Sequence, residues 1–173
     1  MKLPMTRRRL CLCLLLLLVA LLLLPAVHWR LIGWVKGEAF YQGRPTSYWK
    51  WDCQQWEHVP AILGPAYWRK TRSARWDNSV REWLGISTQP TPESPPLFSA
   101  DPDALPVLLE LLDLDDEPSQ RIAIVGIRII GPAGKAASPR LLQLIRGRSR
   151  LDMHAWEALQ VVDPETASVL GRK

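Results

Sequence analysis

The chain has little of the material from which most catalytic or covalently stapled proteins are built. It carries three cysteines and three histidines in 173 residues. Cys11 and Cys13 lie in an apolar run, where free cysteine behaves as a small hydrophobe. Cys53 is then the only cysteine beyond that run, which excludes an intrachain disulfide there. His28, His58 and His154 are far apart, and Cys53 with His58 supplies too few ligands for zinc. No metal and no cofactor is expected. No glycine-rich phosphate loop, nucleophile elbow or partnered acid–base pair appears, so no catalytic residue is assigned and the chain is read as non-enzymatic. Charge of one sign is missing over long stretches as well. Asp101 to Glu117 holds seven acidic residues and no basic one, while Arg121 to Arg150 holds seven basic residues and no acidic one. Such blocks are either interaction faces or ordinary solvated helix surfaces.

What is present begins with an apolar run from Leu10 to Val27 containing eleven leucines. Eighteen residues of helix span about 27 Å, close to the ~30 Å hydrocarbon core of a bilayer. Leucines at the centre of such a helix favour insertion by about 3–7 kcal/mol in sum. The run is longer than the apolar region of a cleaved signal peptide, so residues 10–35 are expected to form an uncleaved transmembrane signal anchor with an interfacial end. Trp29 and Trp34 fall where an aromatic belt belongs. Residues 1–9 form a basic tail with Lys2, Arg7, Arg8 and Arg9. The positive-inside rule then makes the chain a single-pass membrane protein, with a cytoplasmic N-terminus and the C-terminal part on the exported side.

Residues 36–86 hold six of the nine tryptophans, counting from Trp49 to Trp83. Pro45-Thr46-Ser47 reads as a helix start with Thr46 or Ser47 as N-cap. Trp49, Cys53 and Trp56 then share a helical stripe that His58 and Pro60 end, and an irregular basic stretch follows. Asp77 caps a second short helix to Leu84, with Trp76 and Trp83 on its apolar side. Residues 87–100, with Pro90, Pro92, Pro95 and Pro96, read as an extended linker.

Residues 101–173 contain one helix pair written twice. Ala104-Leu105-Pro106-Val107-Leu108-Leu109-Glu110-Leu111 matches Ala137-Ser138-Pro139-Arg140-Leu141-Leu142-Gln143-Leu144. The closing helices, Ile122 to Ile130 and Ala155 to Val162, match in the same way. Asp103 is expected to cap the first helix and Asp115 or Asp116 the second. Ile122 to Ile130 is apolar almost all round, so it must be enclosed on more than one side. Gly126 and its counterpart Ala158 suggest a close crossing, Gly131-Pro132 closes the first pair, and Pro164 to Leu170 adds a short final helix.

The Ala-x-Pro-x-Leu-Leu-x-Leu opening, and Ile130-Gly131-Pro132-Ala133-Gly134-Lys135-Ala136-Ala137 running into the second copy, resemble a HEAT-type repeat. The likeness is to the short bacterial variety called PBS-lyase HEAT-like. The segment from Phe40 to Trp49 is also similar to one found after the membrane helix of bacterial membrane-anchored HEAT proteins. The resemblance implies an all-α chain: a transmembrane helix, Trp-rich short helices and a two-repeat HEAT-like α-solenoid. The repeat and the lack of a reaction centre are read as a membrane-tethered, non-catalytic protein-interaction or scaffold module. A bilin-lyase-like or accessory subunit and an exported glycan-binding module are the alternatives. Two repeats are fewer than a solenoid core normally needs. Trp49, Trp56, Trp76 and Trp83 are therefore expected to cap the first repeat. The candidate interaction surface is Arg121, Arg128, Arg146, Arg148 and Arg150. The expected partners are another protein and, through residues 10–35, a lipid bilayer. The exported topology argues against nucleic acid, whose phosphates this arginine run would otherwise suit.

Overall fold

The computed structural model describes residues 13, 15, 16, 25–59, 67–71, 94–147 and 150–171. Among these residues no helix is long and apolar enough to cross a membrane. The expected single-pass anchor is corrected on that ground. Helix α1 covers Pro25–Lys36, 12 residues, or about 18 Å of rise against ~30 Å of hydrocarbon. It carries Arg30 and Lys36 and is docked on the body of the protein through Gly33. The assigned sidedness of the two ends rested on a spanning helix and falls with it. Apart from Cys13, Leu15 and Leu16, residues 10–24 of the expected anchor lie outside the described residues.

The all-α expectation is also corrected. The chain is mostly helical, but two small antiparallel sheets stand in its front part. Strands β1 (Phe40–Tyr41) and β2 (Arg44–Pro45) are joined by Gln42 and Gly43, both with positive φ. Two left-handed residues in a row match the twist of a tight hairpin. Helix α1 lies against this hairpin so closely that a Cβ on Gly33 would meet the Pro45 ring at 2.2 Å. Arg30 Nε donates to the Gly43 carbonyl at 3.1 Å.

Helix α2 follows directly (Thr46–Cys53), with Pro45 at its N-cap and no side-chain cap of its own. Neither expected capping side chain closes this end. The caps come from elsewhere. Glu38 accepts from the Ser47 amide at 2.9 Å and from its hydroxyl, and Glu110 accepts from the Ala39 amide at 2.9 Å and from the Thr46 hydroxyl. Glu38 thus meets one unpaired amide of the helix, and both carboxylates stand at its positive dipole end. Helix α2 stops at Gln54 rather than running to His58. Strand β3 (Trp56–Val59) pairs with β4 (Tyr67–Lys70) instead. Cross-strand contacts hold the hairpin: Glu57 with Arg69, His58 stacked edge-on against Trp68, and Lys70 over the Trp56 ring. The expected helix at Asp77–Leu84 lies outside the described residues.

Behind this front part are two helix pairs. A short 3-10 turn, Pro102–Ala104, is capped by Asp101, whose carboxylate accepts from the Asp103 amide at 3.0 Å. It leads into α3 (Leu105–Leu112), and Asp116 caps α4 (Glu117–Ile130) by accepting from the Ser119 amide at 3.2 Å. Gly131, with φ of +69°, ends α4 and starts a 3-10 segment, Gly131–Ala137. The second pair is α5 (Ser138–Arg146) and α6 (Asp152–Val162). The last helix, α7 (Pro164–Gly171), is started by Asp163, which accepts from Thr166.

The core runs through Val107, Leu108, Leu111, Ile122, Ile127, Leu141, Ala155, Ala158 and Leu159, all fully buried. At Gly126 an added Cβ would meet Leu108 and the Leu97 carbonyl at 3.0 Å. The small residue thus admits the turn carrying Leu97 to the α3–α4 crossing. Leu97 itself is 1% exposed, so the proline-rich stretch contributes a core residue.

The solenoid is not shown. The pairs meet through α4, α6 and the 3-10 segment, but each is flanked by something other than another pair. Helix α2 and strand β1 contact the first, and α7 contacts the second.

Candidate interaction surface

Helices α4 and α6 lie side by side and present one face between them. Arg121 and Arg128, seven residues apart on α4, fall about two turns apart along that face. Arg121 pairs with Glu117 at 2.8 Å within α4, and Arg128 pairs with Glu157 of α6 at 2.8 Å. Half-buried Val125 lies between the two arginines on α4. His154 stands one turn before Glu157, with Nδ1 4.0 Å from its carboxylate. Arg121 and His154 both act electrostatically on His58 of the β3–β4 hairpin. His58 thus lies within electrostatic reach of Arg121 and His154, and Arg128 and His154 share Glu157.

The electrostatics of this face can be read from His58. Its imidazole is held below the ordinary histidine value, first by partial burial and then by the positive charges of Arg121 and His154. Protonation of His58 is thus disfavoured in the folded state. By linkage, this contribution destabilises the fold as pH falls below 6.5 toward the lowered value. A carboxylate brought to the face would reverse the effect by favouring the charged imidazole.

The remaining expected surface residues are placed differently. Arg146 is exposed in the last turn of α5, and Arg150 is exposed at the turn into α6. Arg148 lies outside the described residues. Arg140, on α5, pairs with Asp113 at 2.8 Å across to the first helix pair. Among the tryptophans expected to cap the first repeat, Trp49 and Trp56 are buried, while Trp76 and Trp83 lie outside the described residues. Trp49 Nε1 donates to the carbonyls of Tyr41 and Arg44 at 3.3 and 3.2 Å, and Trp56 Nε1 donates to Asp52 at 3.3 Å. Their polar edges are consumed inside the protein, as burial of an indole requires.

His58, His154 and Glu157 are not among the residues that the sequence assigns to this surface. The 32-residue offset between the second helices sets Glu157 level with Val125, within one turn of Arg128, and is the signal that locates the pair. Nothing comparable locates His58, whose approach depends on the hairpin.

Among the described residues no three His, Cys, Asp or Glu side chains converge to hold a metal. Cys53 is buried, and burial pushes its thiol far above the usual cysteine range. A cleft of about 250 Å³ between the two pairs is lined by Leu112, Gln120, Arg140 and Leu144. Three of its polar groups are occupied: Gln120 donates to the Leu112 and Leu114 carbonyls, and Arg140 holds Asp113. No family model, no curated protein and no solved structure matches the chain.

Proposed function

We propose that the chain is a non-catalytic protein-interaction module that seats an acidic segment of a partner protein on the α4–α6 face, beside the β3–β4 hairpin. The observation that carries this reading is the run of Arg121, half-buried Val125 and Arg128 on α4, with His154 of α6 sharing Glu157 with Arg128 and His58 within electrostatic reach of Arg121 and His154. Each arginine ion pair uses one guanidinium nitrogen, and a guanidinium has five donors in a planar fork suited to carboxylates. The intramolecular pairs are solvent-exposed and so are individually worth little, which makes exchange for a partner's carboxylates inexpensive. The likeness of the two helix openings to HEAT-type repeats adds a fold-level analogy only.

The test uses a photocrosslinker in place of Val125 in the full chain. The expected result is a discrete adduct with one polypeptide, weakened by added salt and lost in the Arg121→Glu, Arg128→Glu double variant. Binding should also raise the His58 pKa, read from its ring protons by NMR. An adduct indifferent to the double reversal overturns the assigned face. Turnover by the purified chain that disappears on changing one polar residue overturns the non-catalytic reading.

A further inference from the structure

Helix α1 has an unusual outer side. Its inner side is committed, since Gly33 is buried against Pro45 and Phe40. Facing away are Leu31, Trp34 and Val35, which are 47%, 78% and 73% exposed. Positions 31, 34 and 35 are spaced by three and four, so they form one stripe. A helix lying on a protein body ordinarily turns its polar residues outward. Here both sides are apolar, and the outer stripe projects as a ridge rather than lining a groove.

The well-exposed charges around the ridge are basic, with Lys36 also paired to the largely covered Glu38. Arg30 and Lys36 flank it on α1, and Arg44 and Lys50 lie on the hairpin and helix packed beneath. The carboxylates of that neighbourhood are engaged inward. Glu38 holds Ser47 and Lys36, and Asp52 holds the Trp56 ring nitrogen. Next to the ridge, Trp29, Tyr48 and Trp51 form a ring cluster with centroids 5.8 to 6.4 Å apart, and Trp51 is half exposed. Upstream, Leu15 and Leu16 are exposed as well.

We propose that the outer face of α1 docks on an anionic lipid surface. Leu31, Trp34 and Val35 enter the boundary between headgroups and acyl chains, while Arg30 and Lys36 meet the phosphates. An interfacial helix buries its apolar face about 5–10 Å and needs no spanning length, so twelve residues suffice. A tryptophan at that depth keeps its ring nitrogen in the hydrated layer. The basic surround selects anionic lipid over a neutral surface.

The experiment places a nitroxide at position 34 of the full chain through Trp34→Cys, with Cys11→Ser and Cys13→Ser. Cys53 stays, because it is buried. Power saturation is read with oxygen and with an aqueous nickel relaxant, in vesicles of phosphatidylcholine with phosphatidylglycerol. A Glu57→Cys label on the β3–β4 hairpin is the reference. The expected result is oxygen-dominated relaxation at position 34 and nickel-dominated relaxation at position 57. Omitting phosphatidylglycerol should weaken the immersion by about fivefold per basic residue engaged. A position 34 label as open to nickel as position 57 overturns the proposal. So does a label already immobile without lipid, which means that protein covers the ridge. Immersion indifferent to phosphatidylglycerol overturns the assignment to anionic lipid.

Discussion

The front part, residues 25–71, and the helix pairs, residues 101–171, are held together in different ways. The helix pairs are aliphatic and local. Leucine, isoleucine and alanine fill their core, and aspartates two or three residues away cap their helices. The front part is aromatic and non-local. Trp49 and Trp56 are fixed by hydrogen bonds to their ring nitrogens, and α2 takes its caps from Glu38, nine residues before Ser47, and Glu110, 64 residues after Thr46. The front should therefore open separately, with the helix pairs still folded. Regions stabilised by few long-range contacts open at lower free energy than a contiguous core.

The comparison can be broken most strongly in the core. Leu108→Ala and Ile127→Ala should each cost about 2–5 kcal/mol in chemical denaturation, because both side chains are fully buried. A loss under about 1 kcal/mol would mean these two positions are not core. Next in size is Glu110→Ala, which strands the Ala39 amide and the Thr46 hydroxyl and should cost about 1.5–3 kcal/mol. Its signature is regional. Amide exchange should rise from Ala39 to Cys53 and stay unchanged in α6. Uniform change across both regions would erase the distinction drawn here.

Removing the cap with Asp116→Ala should cost about 1 kcal/mol, read as faster exchange in the first turn of α4. Acid acts on the same difference. Burial alone would raise Asp116, but hydrogen bonds from Ser119 and Gln54 hold it below its ordinary 3.8. Its stabilisation is present above that value and is lost as pH falls through the lowered one. Asp52, at the end of α2, is raised, chiefly by burial. Its sign is opposite, so stability increases as pH falls through the raised value toward 3.8. Acid titration followed by amide exchange should loosen the start of α4 while sparing the last turn of α2 around Asp52. The smallest effect concerns Cys53, buried with a raised thiol pKa. With Cys11 and Cys13 replaced, alkylation at Cys53 should track opening of the front and be negligible in the native protein.

These differences also decide what could be read from the chain. The helix pairs were legible because their signals are local. Leucines recur at helical spacing, and Asp116, Gly131 and Pro164 stand at the breaks. The front was not. Trp49, Cys53 and Trp56 fit a helical stripe, and no glycine or proline marks the real end of α2 at Gln54. The strands that follow are four residues each, too short to override that pattern. The anchor expectation rests on apolar length, flanking basic residues and an aromatic belt, none of which shows α1 docked on the hairpin. Gly33, which seats α1 on the hairpin, reveals itself only through the Pro45 contact. Of the interaction face, Arg121 and Arg128 were visible as charge, whereas His58 reaches it by a hairpin that periodicity did not disclose.

One substitution between the two copies carries more than its size suggests. Glu110 and Gln143 occupy the same place in their helices, yet Glu110 holds the front part while Gln143 is solvent-exposed. That single carboxylate makes the first copy a receptor and leaves the second a blank. A duplicated unit, which on its own has two equivalent docking edges, thereby acquires a head and a tail.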